Sequence, residues 1–212
     1  MLTKNHEKLT IEVKRHIEAD AVVQGDYWDG SKGCFIGCLA HSNDATKLSD
    51  LYGLPLPLVR ICENIFENLP AEDAKCFFAA IPAAVGRDGK DLSRVHWAFL
   101  ASELRALPEV DTDTQKVIDN VIDGMDILAS GGDWSEKAVD SARAAAYAAR
   151  AAARINAYAA AYAAASAASA ASADQLCHFG KILYLIEVAD DTDASVALLR
   201  QRDTILRLIE IT

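Results

Sequence analysis

Residues 27–41 have the sequence YWDGSKGCFIGCLAH, with three glycines, two cysteines and a terminal histidine. The pattern predicts a loop that leads into a helix beginning near Gly33. On that helix Gly33 and Gly37 are one turn apart, so they form a strip of small residues that lets another backbone or a ligand come close. This stretch is therefore the best candidate for a functional site in the chain.

The sequence on either side of this stretch also predicts helices. Leu9, Val13 and Ile17 recur every four residues, which indicates a first helix over residues 5–24. Further helices are predicted over residues 43–52, where Gly53 supplies the stop, and over 71–81, 92–107 and 114–129. A segment with Pro57 in its first turn and Pro70 at its end lies between them. No run alternates with a period of two, so the sequence predicts an all-α protein.

The composition changes after the segment SGGDWS, where Ser135 can cap a long alanine-rich helix. An eleven-residue repeat places Arg143 in line with Arg154 and Tyr147 in line with Tyr158 on one face. The predicted architecture is a helical bundle in which this long helix packs against the C-terminal helices. Residues 1–132 are predicted to form an N-terminal helical region that carries the candidate site. Residues 133–212, the alanine-rich helix with the C-terminal helices, are predicted to form one structural unit with that region.

Charge and composition limit the classes of partner. The chain has 31 acidic and 21 basic residues and a net charge of −10, which disfavours nucleic acid and anionic lipid as partners. No stretch is apolar enough to cross a membrane. The five cysteines lack the spacing of a disulfide framework, which favours free thiols in a reducing cytoplasm. The sequence predicts a soluble cytoplasmic protein that binds neither nucleic acid nor membrane.

Three polar residues of the first predicted helix share its apolar face. His16, Asp20 and Gln24 are spaced four residues apart, so each buried polar group needs a partner in the fold. Asp20, one turn from His16, could orient and charge-stabilise the imidazole. The trio is predicted either to lock helix packing or to form half of a site.

Cys34 is predicted in the first turn of the second helix. Unpaired amides and the positive end of the helix dipole lower the pKa of a thiol at that position, and Lys32 acts in the same direction. Cys34 is therefore predicted to be the most reactive thiol. With His16 and Asp20 as its base, it has the residue types for nucleophilic catalysis.

The same residues also suit a binding pocket. Tyr27 and Trp28 can stack on a planar ligand, and Lys32 with the Gly33 amide can hold an anion. His16, Asp20 and Gln24 can bind polar edges, while Cys38 and His41 lie on the same helix face as Cys34. This combination predicts a nucleotide-like or other anionic aromatic ligand.

The Cys34, Cys38 and His41 spacing offers three metal ligands, but a structural zinc site needs four and no neighbouring cysteine pair completes it. No metal and no cofactor are therefore expected from the sequence.

The segment RHIEADAVVQGDYWDGSKGCFIGCLAHS, with YGLPLPLVRICENIFENLP and DLSRVHWAFL, resembles a family of bacteriophage and bacterial proteins. Its members share a Tyr-Trp, Gly-Lys-Gly-Cys, Gly-Cys pattern near the N-terminus. Residues 31–34 of this chain read Ser-Lys-Gly-Cys, which fits that pattern. The resemblance covers about the first hundred residues. It implies no chemistry, but a phage setting would suit a role in the host cytoplasm, such as capture of a defence signal.

The sequence therefore favours a small-molecule-binding protein that sequesters a host signal. Two alternatives stay open. One is a cysteine-dependent hydrolase or transferase that uses Cys34 with His16 and Asp20. The other is a structural or interaction protein that acts through the alanine-rich helix, including as a homo-oligomer.

Overall fold

The computed structural model describes residues 1–106, 112–135, 137, 138, 140 and 194–212. Within these residues the chain forms eight helices and no strand, which confirms the predicted all-α class. In chain order the helices are α1 (His6–Glu18), α2 (Phe35–Ala40), α3 (Thr46–Tyr52), α4 (Leu56–Asn68), α5 (Ala71–Val85), α6 (Val95–Arg105), α7 (Thr112–Ser130) and α8 (Ala194–Ile211).

Glycine and proline set several helix ends as predicted. Gly53 caps α3 in the left-handed conformation, with φ 66°, and its amide donates to the carbonyl of Ser49. Pro57 lies in the first turn of α4, where its missing N–H has no helical partner to lose. That helix ends at Asn68, before Pro70.

Two predicted helix ends are wrong. The first helix ends at Glu18 rather than at residue 24, because Asp20 takes a left-handed conformation with φ 47° and the chain turns away. The fifth helix continues through Pro82 to Val85. A proline removes only one helical hydrogen bond, and the buried side chains of Ile81 and Val85 hold the last turn against the core.

The short helix α2 lies at the centre of the packing. All six of its residues are buried, and it contacts α1, α3 and α4. The carbonyl of Tyr27 lies directly against Gly33 and Gly37, in the space that a Cβ atom on either glycine would occupy. The predicted strip of small residues is confirmed, and what approaches it is backbone.

Four phenylalanines pack beside this helix. Phe35 of α2 contacts Phe66 of α4 and both Phe77 and Phe78 of α5, with ring centroids 5.8 to 6.2 Å apart. All four side chains are at most 1% exposed. This aromatic core joins α2, α4 and α5.

The chain divides into two compact units. The first comprises Met1–Val95 with Leu198–Thr212, and the second comprises His96–Ala197. In the first unit, the Lys90 ammonium donates to the carbonyls of Ile209 and Glu210 at the end of α8. In the second, Arg105 of α6 pairs with Asp126 of α7. The last helix thus packs with the N-terminal helices.

This division differs from the predicted organisation into residues 1–132 and 133–212. Residues 141–193, which hold nearly all of the alanine-rich segment, lie outside the described residues. Its predicted long helix and the packing of that helix therefore stay predictions.

Candidate functional site

Three rings from separate segments meet at one surface, and we call them the ring cluster: His16, Trp28 and His41. Trp28 stacks on His41 with ring centroids 4.6 Å apart and an interplanar angle of 25°. His16 meets both rings edge-on, 5.5 Å from Trp28 and 5.3 Å from His41. His16 comes from the last turn of α1, whereas His41 follows α2.

The backbone of His41 is held in a conformation that favours glycine. His41 caps α2 with φ 49°, in the left-handed region, where a β-carbon costs about 1–2 kcal/mol. Glycine would cap the helix without that cost but would carry no ring. An unfavourable backbone geometry that keeps an imidazole in a cluster is a feature of functional sites.

Two charged residues of α1, Glu12 and Arg15, complete this surface. The Glu12 Oε2 atom lies 3.7 Å from His16 Nε2 and 3.5 Å from His41 Nε2. The Arg15 Nη2 atom lies 2.7 Å from that same carboxylate oxygen and donates to His41 Nε2 over 2.9 Å. The two imidazole Nε2 atoms are 3.1 Å apart.

Neither Glu12 nor Arg15 was predicted from the sequence as a site residue. The signal was present, because Glu12 and His16 are four residues apart and therefore lie on one face of α1. What the spacing does not reveal is that His41, 25 residues further along the chain, reaches the same face.

Burial lowers the pKa of His16 below its ordinary value, and the positive charge of Arg15 and the nearby His41 lower it further. The Glu12 carboxylate and the backbone of Cys38 act in the opposite direction but more weakly. His16 is therefore neutral at neutral pH, which leaves one ring nitrogen with a lone pair.

Asp20 and Gln24 do not share a helical face with His16, because α1 ends before them. Asp20 is exposed and its Oδ1 atom accepts from Lys75 Nζ at 2.8 Å. Gln24 donates through its side-chain amide to the carbonyls of Phe66 and Leu69, at the C-terminus of α4. The predicted pairing of Asp20 with the His16 imidazole is wrong.

Cys34 lies at the N-terminus of α2 as predicted, but it is not an activated thiol. Its side chain is 2% exposed, and burial raises its pKa to about 11, with the nearby Glu67 carboxylate acting in the same direction. The prediction of a lowered pKa is wrong because loss of water outweighs the helix terminus. The thiol lies near the Glu67 carboxylate, while His16 and Asp20 make their contacts elsewhere.

We expect a thiol reagent at neutral pH to modify the exposed Cys76 at least about tenfold faster than Cys34, because modification requires an accessible thiolate. Peptide mapping by mass spectrometry after timed labelling would measure both rates in one sample. Faster labelling of Cys34 would contradict this expectation and restore the reactive thiol.

The backbone amides expected to hold an anion are already occupied. The backbone amide of Lys32 donates to the Asp29 carboxylate over 2.7 Å, and the backbone amide of Gly33 donates to the carbonyl of Ala21 over 3.0 Å. The Cys38 thiol, also buried, donates to the carbonyl of Gly33 over 3.1 Å. These groups build the turn before α2, and only the Lys32 ammonium remains available to a ligand.

The side chains of Tyr27 and Trp28 lie in different places. Tyr27 is 44% exposed and lies beside Arg60, which pairs with Glu63 at 2.8 Å. Trp28 belongs to the ring cluster instead. The two aromatic side chains therefore do not form the single stacking platform that the sequence suggested.

Two adjoining surface clefts lie between the loop over residues 19–34 and the start of α5. They share Asp20, Val22 and Lys75 in their walls, and each has a volume of about 240 to 250 Å³. His16 lines the first, and Gln24 and Lys32 line the second. Among the predicted site residues, Trp28 and His41 lie in the ring cluster, Asp20, Gln24 and Lys32 line the clefts, and His16 borders both. Tyr27, Gly33, Cys34 and Cys38 line neither place.

Comparisons with protein-family models, curated proteins and solved structures found no match. The resemblance to phage and bacterial proteins therefore stays a prediction. Among the helices of the described residues, none combines the length and apolarity needed to cross a bilayer.

Proposed function

We propose that this protein binds a small anionic molecule in the two adjoining clefts beside Asp20. One observation carries the proposal. Asp20, Gln24 and Lys32, which were each predicted from the sequence as site residues, line the second cleft together with Lys75. Small-molecule sites are concave, largely apolar and carry a few convergent polar groups, and this cleft has each of these features.

Charge favours an anionic ligand. Lys32 and Lys75 are the basic residues in the wall of the second cleft, against the single acid Asp20. The Lys75 ammonium lowers the pKa of Asp20, and Asp20 raises that of Lys75, so both are charged at neutral pH. The wall of the second cleft therefore has one more basic than acidic residue, on a protein whose net charge is −10. In the first cleft Glu72, 3.7 Å from Lys75, offsets this difference, so the anion is expected in the second cleft beside Lys32.

The Asp20–Lys75 ion pair stands where the two clefts meet. Both side chains are solvated, so exchanging Asp20 for a ligand anion as the partner of Lys75 costs little. That exchange would join the clefts into a volume of about 500 Å³, which is in the range of ordinary small-molecule sites.

The remaining cleft wall suits an apolar or ring-shaped portion of the ligand. It is formed by Val22, Val23, Phe66, Ala71 and Ala74. A molecule with a ring and an anionic group, such as a nucleotide, would place the ring on this wall and the anion between the two lysines. The phage resemblance extends the proposal to a host signal captured in the cytoplasm, where the free cysteines of the described residues would stay reduced.

The two alternatives have less support. The cysteine-dependent enzyme has no supporting observation, because Cys34 is buried with a raised pKa. The interaction protein depends on the alanine-rich segment, which lies outside the described residues.

We expect isothermal titration calorimetry to detect binding of adenosine monophosphate, or of inorganic phosphate more weakly, and Lys32→Ala to weaken it about threefold to tenfold. The physical reason is the loss of one charge-assisted contact at a partly solvated position. Lys32→Glu should weaken it further.

Lys8→Ala is the matched control, since it removes the same charge from an exposed position on α1 away from the clefts. Equal losses in Lys8→Ala and Lys32→Ala would show general charge attraction and contradict a site in the cleft, as would no binding at millimolar probe.

A further inference from the structure

The ring cluster and Glu12 carry three atoms of the kinds that bind transition metals, and we call them the ligand triangle: Glu12 Oε2, His16 Nε2 and His41 Nε2. Their separations are 3.1 Å between the two nitrogens and 3.7 and 3.5 Å from these to the oxygen. We propose that Glu12, His16 and His41 bind a divalent transition-metal ion, with Zn²⁺ as the best fit. This inference goes beyond the anion cleft and does not depend on it.

The size of the ligand triangle matches a metal ion. A circle through its three corners has a radius of about 2.0 Å, as follows from sides of 3.1, 3.5 and 3.7 Å. Zinc binds imidazole nitrogen at about 2.0–2.1 Å and carboxylate oxygen at about 2.0–2.2 Å. An ion at the centre, or slightly to one side of the plane, is therefore at bonding distance from all three atoms without rearrangement of the backbone.

The side lengths also favour one geometry. Ligands about 2.1 Å from a tetrahedral ion are about 3.4 Å apart, whereas ligands at right angles are about 3.0 Å apart. The observed sides average close to the tetrahedral value. Two nitrogens and one oxygen also suit zinc better than Mg²⁺ or Ca²⁺, which prefer oxygen alone.

A second observation points to a missing partner at the same place. The Glu12 Oε2 atom is buried and has an ion-pair contact with Arg15 Nη2 at 2.7 Å, but it accepts no hydrogen bond. The two imidazole Nε2 atoms face each other and both face Arg15 Nη2, at 3.3 Å for His16 and 2.9 Å for His41. A neutral Nε2 carries one proton or one lone pair, so no tautomer satisfies all these contacts together. A cation accepts every lone pair at once.

The Arg15 guanidinium places a positive charge next to the ligand triangle. Its Nη2 atom lies 2.7 Å from Glu12 Oε2 and above the ligand triangle, within 3.3 Å of both imidazoles. A metal ion at the centre of the triangle would lie too close to this guanidinium, so the two cations exclude each other. The Arg15 side chain is 53% exposed and free to turn into solvent. Arg15 is therefore a resident competitor that the metal displaces.

The site is of the open type. Structural zinc sites are closed by four protein ligands, whereas sites with three keep a position for water or another donor. The His41 side chain is 41% exposed, so the fourth position can be reached from solvent. The left-handed backbone that presents His41 is explained by this role, because glycine at that position could not contribute a ligand.

The test is metal titration of the full-length protein after treatment with a chelator. Zn²⁺ is titrated in competition with a chromophoric chelator, and Co²⁺ is followed by its visible absorption, which is intense only in tetrahedral sites. We expect one ion per chain and a tetrahedral Co²⁺ spectrum. Glu12→Gln and His41→Gly should each weaken binding about tenfold or more.

Arg15→Gln is expected to change the Zn²⁺ affinity in the opposite direction. Removing the competing guanidinium should tighten Zn²⁺ binding several-fold, which loss of fold could not produce. Glu7→Gln, an exposed acid on the same helix, and His6→Ala, whose ring bonds to the Pro82 carbonyl, are the matched controls and should leave affinity unchanged. His41→Gly fits the left-handed backbone at this position, so the substitution adds no strain at the end of α2.

Absence of binding in both the unmodified chain and Arg15→Gln would overturn the proposal. So would binding that survives Glu12→Gln and His41→Gly, because the ion would then be held elsewhere, or a six-coordinate Co²⁺ spectrum. The metal titrations contain no phosphate or nucleotide, so they do not depend on the anion cleft. The calorimetry of the cleft is run with a chelator present, so it does not depend on the metal site. Either proposal can therefore fail without the other.

Discussion

Gly37→Ala is expected to lower the free energy of unfolding of the first unit by about 3 kcal/mol, although the exchange is normally stabilising within a helix. Gly37 lies in α2, where alanine has the higher helix propensity by about 1 kcal/mol. A Cβ atom here would overlap the Tyr27 carbonyl, which is backbone and cannot turn aside. Overpacking against a rigid neighbour outweighs propensity. Urea unfolding followed by far-ultraviolet circular dichroism measures the change.

Gly25→Ala is the matched control for Gly37→Ala. Gly25 has φ 90°, and a Cβ atom there would meet no heavy atom within 4 Å, so only backbone strain opposes alanine. We expect about 1–2 kcal/mol of destabilisation from that strain. If Gly37→Ala were as stable as the unmodified chain, the close approach of Tyr27 to α2 would be contradicted.

Lys90→Met is expected to destabilise the first unit by about 2–3 kcal/mol. The Lys90 side chain is buried, and its Nζ atom donates to the carbonyls of Ile209 at 2.5 Å, Glu210 at 3.0 Å and Ala84 at 3.4 Å. Lys90 therefore holds the C-terminus of α8 beside that of α5. A cation is favourable there because the carbonyl ends of helices carry partial negative charge. Methionine keeps the apolar stem but leaves these carbonyls without their charged donor.

Lys8→Met removes the same charge from an exposed position on α1 and is expected to change the free energy of unfolding by less than about 0.5 kcal/mol. Urea unfolding of both variants measures the difference between them. Full stability in Lys90→Met would contradict the role of Lys90 in holding α8.

The sequence indicated some residues of the two proposed sites but not their contacts. His16 and His41 were both selected from the sequence, yet for different reasons: one as the partner of Asp20, the other as a neighbour of Cys34 on a helix face. The structure brings their Nε2 atoms within 3.1 Å of each other and puts Glu12 beside them. The sequence pointed to these two residues, but it did not indicate that they contact each other or Glu12.

Cys34 shows why partners and pKa values could not be predicted from position along the chain. The helix terminus and Lys32 are local features, and both argue for a lowered pKa. Burial of the thiol and the approach of Glu67 from α4 are tertiary features, and together they raise the pKa to about 11. Desolvation depends on every element that covers a group, so sequence neighbours alone mispredict its direction.

The sequence by itself determined the features that depend on residues close together in the chain. These are the helical class, the end of α3 at Gly53, the start of α4 at Pro57, and the close approach at Gly33 and Gly37. These follow from backbone sterics and from side-chain periodicity, which are local. Tertiary structure alone decided that the chain leaves α1 at Asp20, that α8 returns to the first unit, and that Glu12, His16 and His41 converge. Convergence depends on the path of the chain around the buried helix α2, and that path is set by packing among helices distant in sequence.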